Sequence, residues 1–369
     1  MSHGFEPPPY PYDRLDPSKV KAGRHQGGVV DLSIGTPCDA PLESVIAALA
    51  SSNAERGYPP SIGSEPLRRS ASAWMQRRFD IHVSPSDIAA CIGTKEFVAS
   101  TPAYLRLRTP DRDVVLYPAV AYPTYEMGAI LAGCRPVAVP LDAKGRLDLS
   151  AIDPRDVDRA LCLWANSPSN PTGALDDLEA IAAWGVENQV LVLSDECYCE
   201  FTWDGPARSI LQHGTTGLIA VHSLSKRSNL AGVRVGFYAG DSDVVGYLRE
   251  VRKHAGLMVP GPAQAAAAVA LDDDHHVAVQ RDRYRRRLDR LAEILSTWSG
   301  HSFAPPAGGF YLWAPVGDGW AFADALAEAG GALVSPGDFY GSESTRWARV
   351  AAVQPDERIE LMARRLTSH

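Results

Sequence analysis

Short apolar runs, punctuated by turn residues, dominate the middle of the chain. DVVLYP (113–118), PVAVPL (136–141), ALCLWANS (160–167), QVLVLSDE (189–196), LIAVHSLS (218–225) and VGFYAG (235–240) are mostly continuous rather than alternating. A strand with a polar residue at every second place has one wet face, whereas an unbroken apolar strand is buried on both. The pattern therefore predicts a mainly parallel sheet flanked by helices. Stretches such as LDDLEAIAAWGVEN (175–188) supply the helical crossovers. Ahead of this block the first forty residues read as extended, with a Pro-rich start and a short strand in VVDLSIGTP. After about Pro262 the texture changes to a long helix in which Tyr284, Leu288, Leu291 and Leu295 recur at helical spacing. GFYLWAPV (309–316), ALVSPG (332–337), WARVAAV (347–353) and a final helix follow. The expected organisation is an N-terminal arm (1–40) that joins a smaller α+β domain (262–369), and a large α/β domain (41–261).

Composition narrows the classes of function. A formal charge of −8 argues against a nucleic-acid surface, and RDRYRRRLDR (281–290) reads as the wet face of an amphipathic helix. The start, MSHGFEPPPYPYDRL, has no apolar core of a signal peptide, and no apolar run is long enough to span a bilayer. Six scattered cysteines include only one close pair, Cys197 and Cys199. That spacing suits neither zinc nor a redox pair, so reduced thiols in a cytoplasmic protein are expected. DDDHH (272–276) sits in or beside a helix without a further ligand pattern and reads as solvated; no metal is expected.

The chemistry collects where the strands end, which is where open α/β sheets bind ligands. NSPSNPTG, with Asn166 and Asn170, follows one strand; Asp195, Glu196 and Tyr198 follow the next; Ser223, Ser225 and Lys226 follow a third. Upstream, ACIGTKEF enters a helix through Gly93 and Thr94, whose backbone N–H groups could hold a phosphate. Arg234 stands eight residues beyond Lys226 in an apolar run that looks bound for a packed interior. An acid, a phenol, an amide, a lysine, an arginine and a phosphate cradle match the needs of pyridoxal phosphate. That cofactor takes a lysine on its aldehyde, a carboxylate at its ring nitrogen, donors at its ring hydroxyl and cations at its phosphate. The Gly-rich fingerprint of a dinucleotide site does not occur.

SLSKRSNLAGVRVG (223–236), NSPSNPTG, SDECY, YPTY (122–125) and YPPSIGSEPLRR (58–69) resemble segments of the fold-type I, class I/II pyridoxal-phosphate aminotransferases, in the family's order. The resemblance implies that Lys226 joins the cofactor aldehyde and later moves the substrate proton, and that Asp195 pairs with the ring nitrogen. It implies that Tyr198 and Asn170 bond the ring oxygen, Asn170 also reaching substrate, and that Tyr122 stacks on the ring. Gly93, Thr94, Lys95, Ser223, Ser225 and Arg234 fall at the cofactor, although Lys95 stands where many relatives carry a small residue. Tyr58 resembles a tyrosine that crosses the dimer interface to touch the cofactor phosphate of a second subunit, so a homodimer with shared sites is implied. Gly35 and Arg349 fall where the family holds the substrate carboxylate. The chain as a whole resembles actinobacterial N-succinyldiaminopimelate aminotransferases of lysine (diaminopimelate) biosynthesis, which would pair that amino donor with 2-oxoglutarate/glutamate. Transamination of another acidic or aromatic amino acid, or carbon–sulfur β-lysis, is the alternative. Lys19, Arg24 and Arg227 are candidates for the distal anionic groups by charge alone.

Overall fold

The computed structural model describes residues 4–203 and 205–367. Its contacts divide the chain into two units, one of Thr36–Arg286 with Pro306–Phe310, the other of the residues up to Gly35, Arg287–Pro305 and everything from Tyr311 on. These borders differ from the expected 40/41 and 261/262. The helix Gly261–Leu271 buries Ala263, Ala266, Ala267 and Ala270 in the core of the larger unit, and the helix His275–Ser299 runs across the division. The single long helix expected after Pro262 is therefore two, interrupted between Leu271 and His275.

The larger unit is built on seven strands: β1 (Ile88–Cys91), β2 (Val114–Pro118), β3 (Arg135–Val139), β4 (Ala160–Asn166), β5 (Leu191–Asp195), β6 (Leu218–Ser223) and β7 (Gly236–Gly240). Their spatial order is β1-β7-β6-β5-β4-β2-β3, parallel throughout except β7, which runs antiparallel to both neighbours. Successive residues of β6 enter two separate cores. Leu218 and Ala220 pack with Trp74, Met75 and Ala266, while Ile219 and Val221 pack with Phe97, Val98, Tyr125 and Leu248. This is why the central strands read as unbroken apolar runs, since each of their faces has its own helical cover, whereas the edge strand β3 is only partly buried. β1 has no such signature in the sequence, because IAAC is short and carries small side chains.

In the smaller unit, β8 (Tyr311–Pro315) and β9 (Ser335–Pro336) flank β10 (Trp347–Ala351) in antiparallel register, with Arg349 opposite Trp313 and Ser335. Val30–Asp31 pairs in parallel with Ala332–Leu333. The N-terminal helix Asp16–Ala22 is held to the helix Gly319–Gly330 by the Ser18 hydroxyl donating to Asp324 at 2.6 Å. Among the described residues, no helix is long and apolar enough to cross a membrane.

Candidate active site

Two parallel strands deliver the acid and the amide. Asn166 and Asp195 are partners at the ends of β4 and β5. The Asn166 side chain donates to the Asp195 carbonyl at 2.8 Å and accepts the Asn170 N–H at 2.8 Å, which folds the Ser-Pro/Asn-Pro turn back over the strand ends. Both Ser167–Pro168 and Asn170–Pro171 are cis. The Asp195 carboxylate is buried and accepts from the Tyr125 hydroxyl at 2.9 Å and from the Cys197 N–H at 3.2 Å. Burial raises its pKa; bonds from Cys197 and Tyr125 and the charge of Lys226 pull the other way without cancelling the rise. A cation set against this carboxylate would favour its ionised form. Tyr198 is buried next in line, with its ring edge-on to Phe310 at 5.3 Å.

The lysine segment is the connection between two antiparallel neighbours. β6 ends at Ser223, a helical turn spans Leu224–Arg227, and β7 returns with Gly236 opposite Ser223. Ser223 caps that turn by accepting the Ser225 N–H at 3.1 Å, so Lys226 is presented half-buried from a fixed turn. Arg234 closes the connection in the left-handed region, at φ 60°, a conformation that costs a non-glycine residue on the order of 1–2 kcal/mol. The interior expected for this arginine is corrected here, because the side chain is exposed. Its Nη1 donates to the Ala231 carbonyl at 2.9 Å, and its guanidinium lies against Gly93. A Cβ on Gly93 (φ 72°) would stand 2.4 Å from Arg234 Nη2, so only glycine lets the cation lie on the backbone there. Gly93 also caps the helix Thr94–Arg108, whose first-turn N–H groups have no carbonyl within the helix to bond. A guanidinium and a helix N-terminus thus converge on one point, an arrangement that attracts an anion.

Thr94 Oγ1 lies 3.1 Å from Cys197 Sγ, which ties that helix start to the Asp195 turn. Lys95 is exposed, its ammonium 5.9 Å from the centre of the half-buried Tyr122 ring. Sequence reasoning brings Asp195, Lys226, Arg234 and Gly93 to one sheet edge but misses Tyr125 and the Cys197 N–H. Tyr125 closes the very YPTY segment that marked Tyr122, and only the fold shows that its hydroxyl reaches β5.

Arg349 lies in the smaller unit, on β10, and is 1% exposed. Its guanidinium carbon sits 4.1 Å from the Tyr311 ring centre and 4.8 Å from that of Tyr340. Nη2 donates to the Ser33 carbonyl and, at 3.2 Å, to the Tyr12 hydroxyl. Gly35, two residues beyond Ser33, has no room for a side chain, as the Tyr311 hydroxyl would lie 1.9 Å from its Cβ. Arg346, the other arginine of this segment, is exposed. Tyr58 is 96% exposed.

Of the distal candidates, Lys19 and Arg24 are exposed on and just after the N-terminal helix. Arg227 is corrected: it is buried, pairs with Glu200 at 3.6 Å and Asp274 at 3.5 Å, donates to the Ala270 carbonyl at 2.6 Å and lies over Trp74. These contacts commit it to packing behind the sheet, not to a ligand. In DDDHH, Asp273 caps His276 through both its N–H and Nδ1, and Asp274 pairs with Arg77 and Arg227.

Beside Asp195, Glu196 is buried with Oε1 accepting from Ser194 (3.0 Å) and the Ile210 N–H (2.7 Å), and Oε2 facing His222 Nε2 at 3.5 Å. Burial pushes Glu196 up to about 7 and His222 down to about 3. The folded chain holds the Glu196 proton more tightly than the unfolded one. Its contribution to stability is therefore full below about pH 4.5 and fades as pH rises to about 7. Glu196→Gln should remove this slope, on the order of 3 kcal/mol. The stability difference between variant and wild type, measured by denaturant titration from pH 5 to 8, isolates it from the opposite effect of His222. A difference that stays constant across that range refutes the assignment.

The larger unit holds a buried carboxylate wanting a cation, a half-buried lysine and a built anion cradle, and these are groups that pyridoxal phosphate requires. The comparisons agree. The model of the family "Aminotransferase class I and II" matches residues 27–366. The chain is 42% identical to 4-dedimethylamino-4-oxo-anhydrotetracycline transaminase OxyQ of Streptomyces rimosus, over 98% of this chain and 99% of that one. It is 42% identical to the probable aminotransferase Rv1178 of Mycobacterium tuberculosis, over 98% and 85%. Among solved structures it resembles a probable N-succinyldiaminopimelate aminotransferase from Thermus thermophilus with a TM-score of 0.86 and 29% identity, over 97% and 99%. The chain belongs to the class I and II aminotransferases, enzymes that work with pyridoxal phosphate.

Proposed function

We propose that the residues gathered at the sheet edge carry transamination between an α-amino acid and a 2-oxo acid, with N-succinyl-LL-2,6-diaminopimelate and 2-oxoglutarate/glutamate as the reacting pair. The observation that carries the catalytic part is the juxtaposition at one edge of Asp195, whose buried carboxylate feels the charge of Lys226, and the Gly93–Arg234 anion cradle. Pyridoxal phosphate supplies an aldehyde that captures the amino group and a ring that takes up electrons from the substrate Cα. Arg234, the Thr94–Arg108 helix start and the Ser223–Ser225 turn hold its phosphate. Asp195 keeps the ring nitrogen protonated, and Tyr125 and the Cys197 N–H hold that carboxylate in place. Asn170 and Tyr198 donate to the ring oxygen, and Tyr122 covers a ring face. The Lys226 amine moves the proton from the substrate Cα and returns it on the other side of the reaction. Arg349 takes the α-carboxylate, with Gly35 lending backbone, and a planar guanidinium suits the two carboxylate oxygens. Tyr58, almost wholly exposed in one chain, belongs to a homodimer contact, with active sites shared between subunits.

The likeness to the Thermus structure supports the acylated diamine as donor. The identity with OxyQ favours a second reading, in which the acceptor is a bulky ring ketone. A half-reaction panel separates them. Glutamate and N-succinyl-LL-diaminopimelate should each bleach the cofactor's absorbance band within one turnover, and 2-oxoglutarate should restore it. A response to glutamate together with amination of a polycyclic ketone, and none to the acylated diamine, would overturn the first reading in favour of the second. A response to aspartate or phenylalanine alone would remove both.

A further inference from the structure

Tyr12 belongs to the Pro-rich N-terminal arm, whose sequence offered no role. Three contacts fix it. The Arg349 Nη2 donates to the Tyr12 hydroxyl at 3.2 Å, the Tyr340 hydroxyl lies 3.0 Å from it, and its ring meets the edge of Phe339 at 5.4 Å. The residue two further on locks the arm down. Arg14 pairs with Asp338 at 2.8 Å and lies over Trp320 at 4.8 Å and Phe339 at 5.5 Å. Tyr340 is buried, and burial raises its pKa, so it keeps its proton.

The hydrogen-bond directions matter. A guanidinium can only donate, so at the Arg349 contact the Tyr12 oxygen is the acceptor and its own proton points elsewhere. Tyr340 offers one acceptor for that proton. A carboxylate lying against the same guanidinium offers a stronger one, because a charged acceptor roughly doubles the strength of a hydrogen bond. From this geometry we propose that Tyr12 is a second substrate contact, a phenol that donates to the carboxylate held by Arg349, with Tyr340 keeping the hydroxyl aimed while the site is empty. The N-terminal arm is thereby part of the substrate site, and its specificity is for an acid group, whatever the rest of the substrate. The inference rests on the reading that Arg349 takes the α-carboxylate.

The test is Tyr12→Phe in the full-length holoenzyme, which keeps the ring on Phe339 and removes only the hydroxyl. KM for the amino donor and for 2-oxoglutarate should both rise about tenfold while kcat stays within about twofold, the loss of one hydrogen bond to a charged group. Propylamine, an amine without a carboxylate, should bind wild type and variant alike when followed by the shift of the cofactor's absorbance band. Tyr340→Phe should raise the same two KM values by a smaller factor. Unchanged KM values in Tyr12→Phe overturn the proposal, and so does an equal loss for propylamine, which would mark a general distortion. Arg349→Lys keeps the failures apart. If it too leaves KM unchanged, the carboxylate reading of Arg349 falls; if it raises KM steeply while Tyr12→Phe does nothing, only the role of Tyr12 falls.

Discussion

Lys226→Ala protein should lose transamination by at least about 10⁴-fold while keeping its fold. The lysine is carried on a short, well-held turn. Leu224–Arg227 is held by the Ser223 cap and by β6 and β7 on either side, so removing one side chain leaves the connection intact. What disappears is the amine, and with it both roles proposed for it, capture of the cofactor's aldehyde and transfer of the Cα proton. Positioned proton transfer alone contributes about 10²–10⁴-fold. Two readouts separate the functions. After borohydride reduction, wild type should yield a peptide spanning residue 226 heavier by the reduced cofactor, and the variant should yield none. In single-turnover absorbance measurements the variant should bind glutamate but convert it at less than a ten-thousandth of the wild-type rate, with partial rescue by added methylamine, which can carry the proton but not the tether. Turnover at a wild-type rate would remove Lys226 from the mechanism altogether.

Much of this site was legible before the fold because its residues lie at strand ends, where a one-dimensional pattern already locates them. Unbroken apolar runs mark β4, β5 and β6, and the polar residues that terminate them are Asn166, Asp195 and Ser223. What stayed illegible depends on contacts between distant parts of the chain. Arg227 and Lys226 are adjacent cations, yet a helical turn directs one into Glu200 and Trp74 and leaves the other half-buried. Arg234 looked destined for the interior because its neighbours are apolar, but a left-handed backbone turns its side chain out onto Gly93. Tyr12 lies 337 positions from the arginine it bonds, and no local periodicity encodes such a pairing. The stretch expected to be extended is a short 3-10 helix at Pro11–Leu15 leading into the helix Asp16–Ala22, and Tyr12 and Arg14 meet side chains of a far later segment, so no local pattern announces the contact.

Asp195→Asn is the second decisive substitution, and it tests charge rather than shape. An asparagine is nearly isosteric with aspartate, and its side-chain oxygen can still accept from Tyr125 or from the Cys197 N–H, so the turn after β5 should persist. The fixed negative charge is lost. In the wild type that charge is expensive to keep, because burial raises the Asp195 pKa and the Lys226 charge offsets only part of the cost. A buried carboxylate of this kind is best stabilised by a facing cation, which is what a protonated pyridine nitrogen provides. With pyridoxal phosphate held as proposed, the stabilisation would be mutual: the carboxylate would favour a protonated ring nitrogen and so keep the ring a strong electron acceptor. Removing the charge should lower the half-reaction rate with glutamate by about 10³-fold, since several kcal/mol of charge pairing in a dry site vanish from the step that develops charge on the ring. Tyr125→Phe should cost far less, about tenfold, because the carboxylate keeps its charge and its bonds with Cys197 and loses only the tyrosine hydroxyl. Reconstituting the Asn variant with a cofactor analogue methylated at the ring nitrogen, which carries the positive charge permanently, should restore a large part of the rate. If the Asn variant retains wild-type activity, or the methylated analogue gives no recovery, then Asp195 serves as a strand-end cap for the Cys197 N–H and the ring nitrogen is held by another group.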